Sequence, residues 1–175
     1  MAIGFKRNKQ QQLYLEMAAK SIRLAVFDFD GVFTSNMVYV NEHGVESVRC
    51  CRSDGIGINA LERAGVSTLI LSTETNPVVK VRAEKLKMRA VHGCADKLRS
   101  LTEIVRDAGI SMENVAFLGN DTNDAACLAR VGLPAIVADA HEDVARLARY
   151  QTSKRGGEGA VRELCDALLR ARGFQ

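Results

Sequence analysis

Two carboxylates stand two residues apart in Phe27-Asp28-Phe29-Asp30-Gly31, at the end of the mostly apolar run 22–30. Acids placed like this leave the core on the same side and repel each other unless a cation lies between them. A hard cation such as Mg2+ takes oxygen ligands in octahedral array, and Gly31 lets the chain turn closely around a bound group. A second polar cluster, Asn120, Asp121 and Asp124, lies in Gly-Asn-Asp-Thr-Asn-Asp (119–124), after another apolar run. Asn and Asp are also good turn formers, so either cluster alone reads equally well as a solvated loop. Their repetition in one local context is what points to a shared ion. Ser72 and Thr73 end a third apolar run, and Lys97 opens a helical pattern. Cation, hydroxyl and lysine together make an electrostatic clamp suited to a phosphoryl group in transfer.

Such residues need a scaffold that brings distant strand ends together. Apolar runs at 22–30, 67–73, 114–119 and 134–139, with a shorter one at 89–93, read as buried strands. Helical patterns fall between them at 55–65, 76–88, 96–109, 123–132 and 141–150, with a last helix at 157–174. Gly65 is a helix stop, and Asn76 with Pro77 makes a helix start. The alternation predicts a doubly wound, Rossmann-like α/β fold: a parallel sheet with helices on both faces. Reactive groups in such sheets collect beyond the carboxyl ends of the strands. Residues 37–50 differ, with two alternating pieces around Asn41–Gly44, and predict a β-hairpin inserted at about 36–50. No large cap domain is evident. Residues 1–20 form a more polar leader, read as a tail and a short helix, and residues 21–175 form the one domain, with a Gly-rich element at about 154–160.

Composition narrows the function. The 175-residue chain carries 24 Lys+Arg against 21 Asp+Glu, a formal charge of +3 without basic blocks, so no nucleic-acid partner is expected. Its five cysteines, Cys50, Cys51, Cys94, Cys127 and Cys165, are odd in number and lack a CxxC pair, which suits buried thiols in a reducing cytoplasm. No signal peptide or stretch of about 20 apolar residues appears, so no membrane role is expected. His43, His92 and His141 are scattered without a partner pattern.

The motifs FDFDG (27–31), LST (71–73), DK (96–97) and GNDTND (119–124) stand in the order found in haloacid dehalogenase superfamily phosphatases, which the chain resembles. FDFDGVFT, RSDGIGI, RAEKLK, ADKL, LARVGLPAIVADA and KRGGEGAVREL extend the likeness to residues 22 to about 169. They resemble the small cap-less subgroup acting on 3-deoxy-D-manno-octulosonate 8-phosphate or on nine-carbon sialic acid-type 9-phosphates. The resemblance implies a Mg2+-dependent phosphatase with Asp28 as nucleophile and Asp30 as general acid, then base. It implies phosphate contacts from Ser72 and Lys97, and metal ligands from Asp28, Asp30 and the position of Asn120. Asp121 and Asp124 would hold the outer shell of the metal and orient Lys97. The family pattern has Asp where this chain has Asn120, a neutral ligand that supplies less charge.

The resemblance also implies a homotetramer, with hairpins assembled into a central barrel and each active site closed by a neighbouring chain. Arg155 and Gly156–Gly159 would reach that adjacent site. Octulosonate enzymes usually carry Thr-Gly-Arg in the second motif. Here Ser72-Thr73-Glu74, with Lys85 in RAEKLK, resembles the enzymes for nine-carbon acids, which favours a nonulosonate 9-phosphate (KDN or sialic acid type) over the octulosonate (KDO) ester. Two further readings are a catalytically weak assembly or regulatory domain beside a sugar cytidylyltransferase, and a broad sugar-phosphate phosphatase.

Overall fold

The computed structural model describes residues 9–174. A helix α1 (Lys9–Ala19) precedes β1 (Leu24–Phe27). Then follow the hairpin strands β2 (Thr34–Val40) and β3 (Glu46–Cys50), α2 (Asp54–Arg63), β4 (Ser67–Leu71), α3 (Val78–Leu86), β5 (Arg89–Val91) and α4 (Lys97–Asp107). The second half comprises β6 (Val115–Gly119), α5 (Ala125–Leu128), β7 (Leu133–Ile136), α6 (Glu142–Ala145), β8 (Tyr150–Gln151) and α7 (Ala160–Ala171). The tail expected before α1 lies outside the described residues.

Six strands form one parallel sheet in the order β5-β4-β1-β6-β7-β8, while β2 and β3 pair only with each other. The chain winds from β1 outward through β4 to β5, then returns across the sheet to β6. The order therefore reverses at β1, where a doubly wound sheet opens a crevice beyond its strand ends. Successive side chains of a strand point to opposite faces, and the cores follow that rule. Ala25 and Phe27 join Ile58, Leu61, Leu164 and Leu168 on one face. Leu24 and Val26 join Leu101, Phe117 and Leu128 on the other. The expected doubly wound sheet with helices on both faces, an inserted hairpin and no large cap is the fold observed.

Two segments differ from the helices expected of them. Over 123–132, a 3-10 turn (Thr122–Asp124) and the single helical turn α5 replace a long helix. Gly132 ends this segment in close backbone contact with Glu113, where any side chain would overlap the Glu113 carbonyl. Over 141–150, only α6 is helical, and Tyr150 pairs beside β7 as a sixth strand. Tyr150 is fully buried, and an edge strand delivers its ring to the core where a continued helix would not. At α3 the expected start chemistry appears one step earlier than the helix itself, with Asn76 Oδ1 accepting from Val78 N at 3.0 Å. All five cysteines are free, and burial pushes the Cys127 thiol up to about 12. Among the described residues no helix is long and apolar enough to cross a membrane.

Helices α2 and α7 meet through one buried acid. Asp54 opens α2, is fully buried, and accepts at Oδ1 from Arg162 N in the first turn of α7 (3.1 Å). Its Oδ2 has no hydrogen-bond partner. Burial pushes this carboxyl up from 3.8 to about 6, against the Arg162 N–H bond and the Arg82 and Arg162 charges. The folded protein thus binds a proton between those values that the unfolded chain does not, so this contribution grows as pH falls from about 6 towards 4 and is lost as pH rises through 6. The interval corresponds to roughly 3 kcal/mol. Replacing Asp54 by Asn should flatten this component, so that the melting-temperature advantage of the unmodified protein over Asp54→Asn is larger at pH 5 than at pH 7.5. Parallel melting curves across that range would show that Asp54 does not titrate there.

Candidate active site

The central strands of the sheet each deliver a polar residue at the carboxyl end: β1 gives Asp28, β4 gives Ser72 and β6 gives Asn120. All three are buried, as are Lys97 at the start of α4 and Asp124 beyond β6. Asp96 fixes the start of α4 by accepting from Arg99 N at 2.9 Å, which sets Lys97 at the first helical position. Lys97 Nζ lies 2.7 Å from Asp28 Oδ1 and 2.7 Å from Asp124 Oδ1, with the side chains at most 5% exposed. The other oxygen of Asp124 accepts from Asn120 N at 2.8 Å. Gly119 is the residue that admits this acid, because a Cβ there would stand 2.5 Å from Asp124 Oδ2. Asp121 accepts at Oδ1 from Thr122 N and caps the turn, so of the two acids assigned to orienting Lys97 only Asp124 contacts it.

One lysine between two buried carboxylates leaves a net negative charge. Burial, reinforced by the Asp124 charge, pushes the Asp28 carboxyl up to about 7 although Lys97 and Phe29 N oppose this. Burial pulls the Lys97 ammonium down, but Asp28 and Asp124 together carry it above its usual value. Asp30, half-buried, is also raised, first by burial and then by the charge of Glu74. A site with these directions favours a cation.

The donor set fits Mg2+. With its amide nitrogen turned inward, Asn120 donates to Asp30 O at 2.9 Å and to Asp28 Oδ2 at 3.2 Å. With its oxygen turned inward, three oxygens converge at those spacings. Octahedral neighbours about 2.1 Å from a Mg2+ ion stand about 3 Å apart, so both spacings from Asn120 are those of neighbouring ligands. Among the described residues no three acidic, His or Cys side chains cluster to hold a metal; the converging donors are one carboxylate, one carbonyl and one amide. Gly31, at φ +75°, makes this possible, because a side chain there would overlap the Asn120 amide.

Asp28, Asp30, Ser72, Asn120 and Asp121 line an open cleft of about 280 Å³. A larger groove of about 570 Å³ lies at the amino ends of the strands, beside Arg23, Ser67 and Ile104. It gathers no acid–base set. Ser72 Oγ accepts from Glu74 N at 3.1 Å, and Glu74 Oε1 accepts from Asn76 N at 2.7 Å, so both residues are held in a tight turn beside the cleft. Lys85 does not reach it. It is exposed in the last turn of α3, roughly 10 Å further along the helix than Val78. Arg155 does not line the cleft either: its Nε lies 3.4 Å from Asp139 Oδ2. Asn36 lines the cleft in the left-handed conformation (φ 62°) and was missed. It sits at the irregularity of β2 between Thr34 and Val38, and an Asn inside a strand pattern is the available signal, since Asn tolerates that region.

Residues 72–164 match the family model of haloacid dehalogenase-like hydrolases. The chain is 35% identical over 156 residues to the 3-deoxy-D-manno-octulosonate 8-phosphate phosphatase of Escherichia coli K12, covering 89% of this chain and 83% of that protein. Among solved structures, a HAD family hydrolase of Streptomyces avermitilis superposes with a TM-score of 0.84 at 45% identity, over 86% of this chain and 87% of that one. The 3-deoxy-D-manno-octulosonate 8-phosphate phosphatase of Moraxella catarrhalis, solved with magnesium, phosphate and KDO, superposes with a TM-score of 0.88 at 30% identity, over 91% and 92% of the two chains.

Turned one way the Asn120 amide would offer an oxygen to a cation, and turned the other it donates to Asp30 O and Asp28 Oδ2. A carboxylate there would face Asp28 and Asp30 O with no donor to offer. Replacing Asn120 by Asp should therefore tighten Mg2+ binding by about tenfold and lower the melting temperature of the metal-free protein, since a lost bond to a charged acceptor is worth about 1.5–3 kcal/mol. Titration calorimetry and EDTA-treated melts check the two effects; unchanged Mg2+ affinity would show that this side chain is not a ligand.

Proposed function

The chain belongs to the haloacid dehalogenase-like hydrolases and is a phosphatase, and from that premise we propose that it releases phosphate from the terminal ester of a 3-deoxy-ulosonic acid, with an aspartyl phosphate formed on Asp28. The observation that carries this reading is Lys97 bridging Asp28 and Asp124 beneath an open cleft. Mg2+ is the cofactor; Asp28 Oδ2, Asp30 O and the Asn120 amide oxygen would hold it, and it would supply charge stabilisation for the phosphoryl oxygens.

The chain's own groups then divide the work. The Asp28 carboxylate attacks phosphorus, and Lys97 favours its ionised form and holds it in place. Ser72 Oγ accepts from Glu74 N, which leaves its own proton free to donate to a phosphoryl oxygen. As the ester bond breaks, Asp30 gives its proton to the sugar oxygen; the raised affinity of Asp30 for a proton suits that acid role. Asp30 next takes a proton from a water molecule as the water oxygen bonds to phosphorus and the bond from phosphorus to the Asp28 oxygen breaks, which frees phosphate and restores the Asp28 carboxylate. The retained Asp28, Asp30, Lys97 and Asp124 support catalysis over an inert assembly domain.

The names of the relatives favour the eight-carbon octulosonate 8-phosphate as substrate. Glu74 favours a nine-carbon nonulosonate 9-phosphate as the second reading, because a carboxylate beside Asp30 accepts from sugar hydroxyls and would repel a substrate carboxylate brought close. Among the described residues that line the cleft of one protomer none is a Lys or Arg that could take that carboxylate. Lys85 and Arg155, each away from the cleft, fit this role from a neighbouring copy. The hairpin supports such an assembly: Met37, Val38, Tyr39, Val40 and Val45 are all more than half exposed, a patch that in a stable protein marks an interface. We therefore propose a homotetramer with shared sites.

Phosphate release in Mg2+ from octulosonate 8-phosphate, nonulosonate 9-phosphates and hexose phosphates should show a strong preference for one sugar acid and none above background for Asp28→Asn. Equal turnover of hexose phosphates would replace the sugar-acid reading with a broad phosphatase. Replacing Tyr39 by Lys should dissociate the assembly in light scattering and raise KM for the sugar acid at least tenfold, while a monomeric mass for the unmodified protein would remove the shared-site reading.

A further inference from the structure

Gly31 is the thinnest layer of the site. On one side its backbone abuts the Asn120 amide, and on the other it abuts Gly156, where an added Cβ would overlap Gly31 O and stand 2.8 Å from Thr34 O. Gly157, at φ +69°, donates to Val32 O at 3.0 Å, and a Cβ there would stand 2.5 Å from Ser35 N. Both glycines are buried. The Gly-rich segment therefore lies flat against the backbone of its own chain that follows Asp30.

This strap is itself clamped. Gly156 N donates to Asp139 Oδ1 at 3.0 Å, and Ala138 N donates to Lys154 O at 3.1 Å, which fixes the strap to the exit of β7. Thr152 Oγ1 donates to Lys154 O at 2.6 Å, and the Glu163 carboxylate accepts from Ser153 N and Lys154 N. The far side of the Asp30 loop is fixed by rings: Phe33 packs on Phe27 and Phe29 at centroid distances of 5.8 and 6.0 Å. The loop is thus held between an aromatic wall and the strap.

We propose that Asp139, Gly156 and Gly157 are positioning residues for Asp30. The strap holds the 31–35 backbone at the height at which Asp30 meets the leaving oxygen. The inference rests on the reading of Asp30 as acid and base given above. It predicts damage confined to the steps that need Asp30. A sugar alkoxide must take a proton as its bond to phosphorus breaks, whereas p-nitrophenolate leaves without one.

The test uses the full chain with Mg2+, the best sugar-acid phosphate of the panel, and p-nitrophenyl phosphate. Gly156→Ala should lower kcat on the sugar ester about 100-fold with KM within about threefold, the size expected of an acid displaced by an ångström. The pre-steady-state burst of p-nitrophenolate, which reads only attack by Asp28, should stay within about threefold because it needs no general acid. Asp139→Ala should lower kcat on the sugar ester about tenfold, and Asp139→Asn, which keeps an acceptor for Gly156 N, should restore it to within about threefold. Equal losses on both esters, or no loss on either, would overturn the inference. If Gly156→Ala does not fold, the Asp139 pair decides. Asp30→Asn runs alongside: if it shows the leaving-group dependence and the strap variants do not, the strap inference falls alone. If Asp30→Asn lacks that dependence, the reading of Asp30 fails and the inference falls with it.

Discussion

Everything at the carboxyl edge of the sheet depends on one buried ammonium. Lys97 stands 2.7 Å from a carboxylate oxygen on either side, one following β1 and one beyond β6. Two acids this deep repel each other unless a positive charge lies between them, and removing one partner of such an arrangement costs about 3–5 kcal/mol because the remaining charge stays buried. The order of dependence follows from the bonds. Lys97 fixes Asp124, Asp124 Oδ2 fixes the backbone of Asn120, and Asn120 places its amide against Asp28 Oδ2 and Asp30 O. The candidate cation donors are therefore set by a residue that is not one of them.

The strands that carry this edge were legible because each is an apolar run cut off by charge. The runs that give β1, β4 and β6 are buried along nearly their whole length, and in a doubly wound sheet burial on both faces leaves no alternation to misread. The errors fall where local pattern and tertiary need diverge. Val144 and Leu147 have helical spacing, but the buried ring of Tyr150 ends the helix after α6 and pulls the chain into the sheet edge. The tight approach of Gly132 to the Glu113 carbonyl shortens the other helix, and no propensity records a neighbour that is distant in sequence.

The site was legible to the same depth. Asp28, Asp30, Ser72, Lys97, Asn120 and Asp124 converge because each ends a strand or opens a helix at one edge of the sheet. Lys85 and Arg155 came from resemblance alone, and neither is near the cleft of its own chain. Asp139 was passed over although it also follows an apolar strand. A lone acid there belongs to no motif, and the Gly pair beside Arg155 reads as a loose loop. Glycines grouped in sequence suggest freedom, yet Gly156 and Gly157 lie where no side chain fits. Composition does not separate flexibility from close approach; only the atoms opposite do.

The hairpin links these constraints to the molecular surface. It begins at Thr34, whose Oγ1 accepts from Gly31 N and Asn36 N, so the first hairpin residue also closes the turn that carries Asp30. Its second strand reaches both flanking loops, with Asn76 Nδ2 donating to Glu46 Oε2 at 3.4 Å and Arg49 standing 3.8 Å from Glu158. One flank belongs to the Ser72–Glu74 turn and the other to the strap. These rim bonds are weak individually; they tie β3, and through its pairing with β2 the ribbon that starts at Thr34, to both flanks of the cleft. The Asp30 loop is therefore bonded to the hairpin and packed on the Phe29 and Phe33 rings. Whatever covers the exposed Met37, Tyr39 and Val45 side chains acts on a ribbon hydrogen-bonded to that loop, so surface and chemistry share one piece of chain in a fold with no cap to separate them.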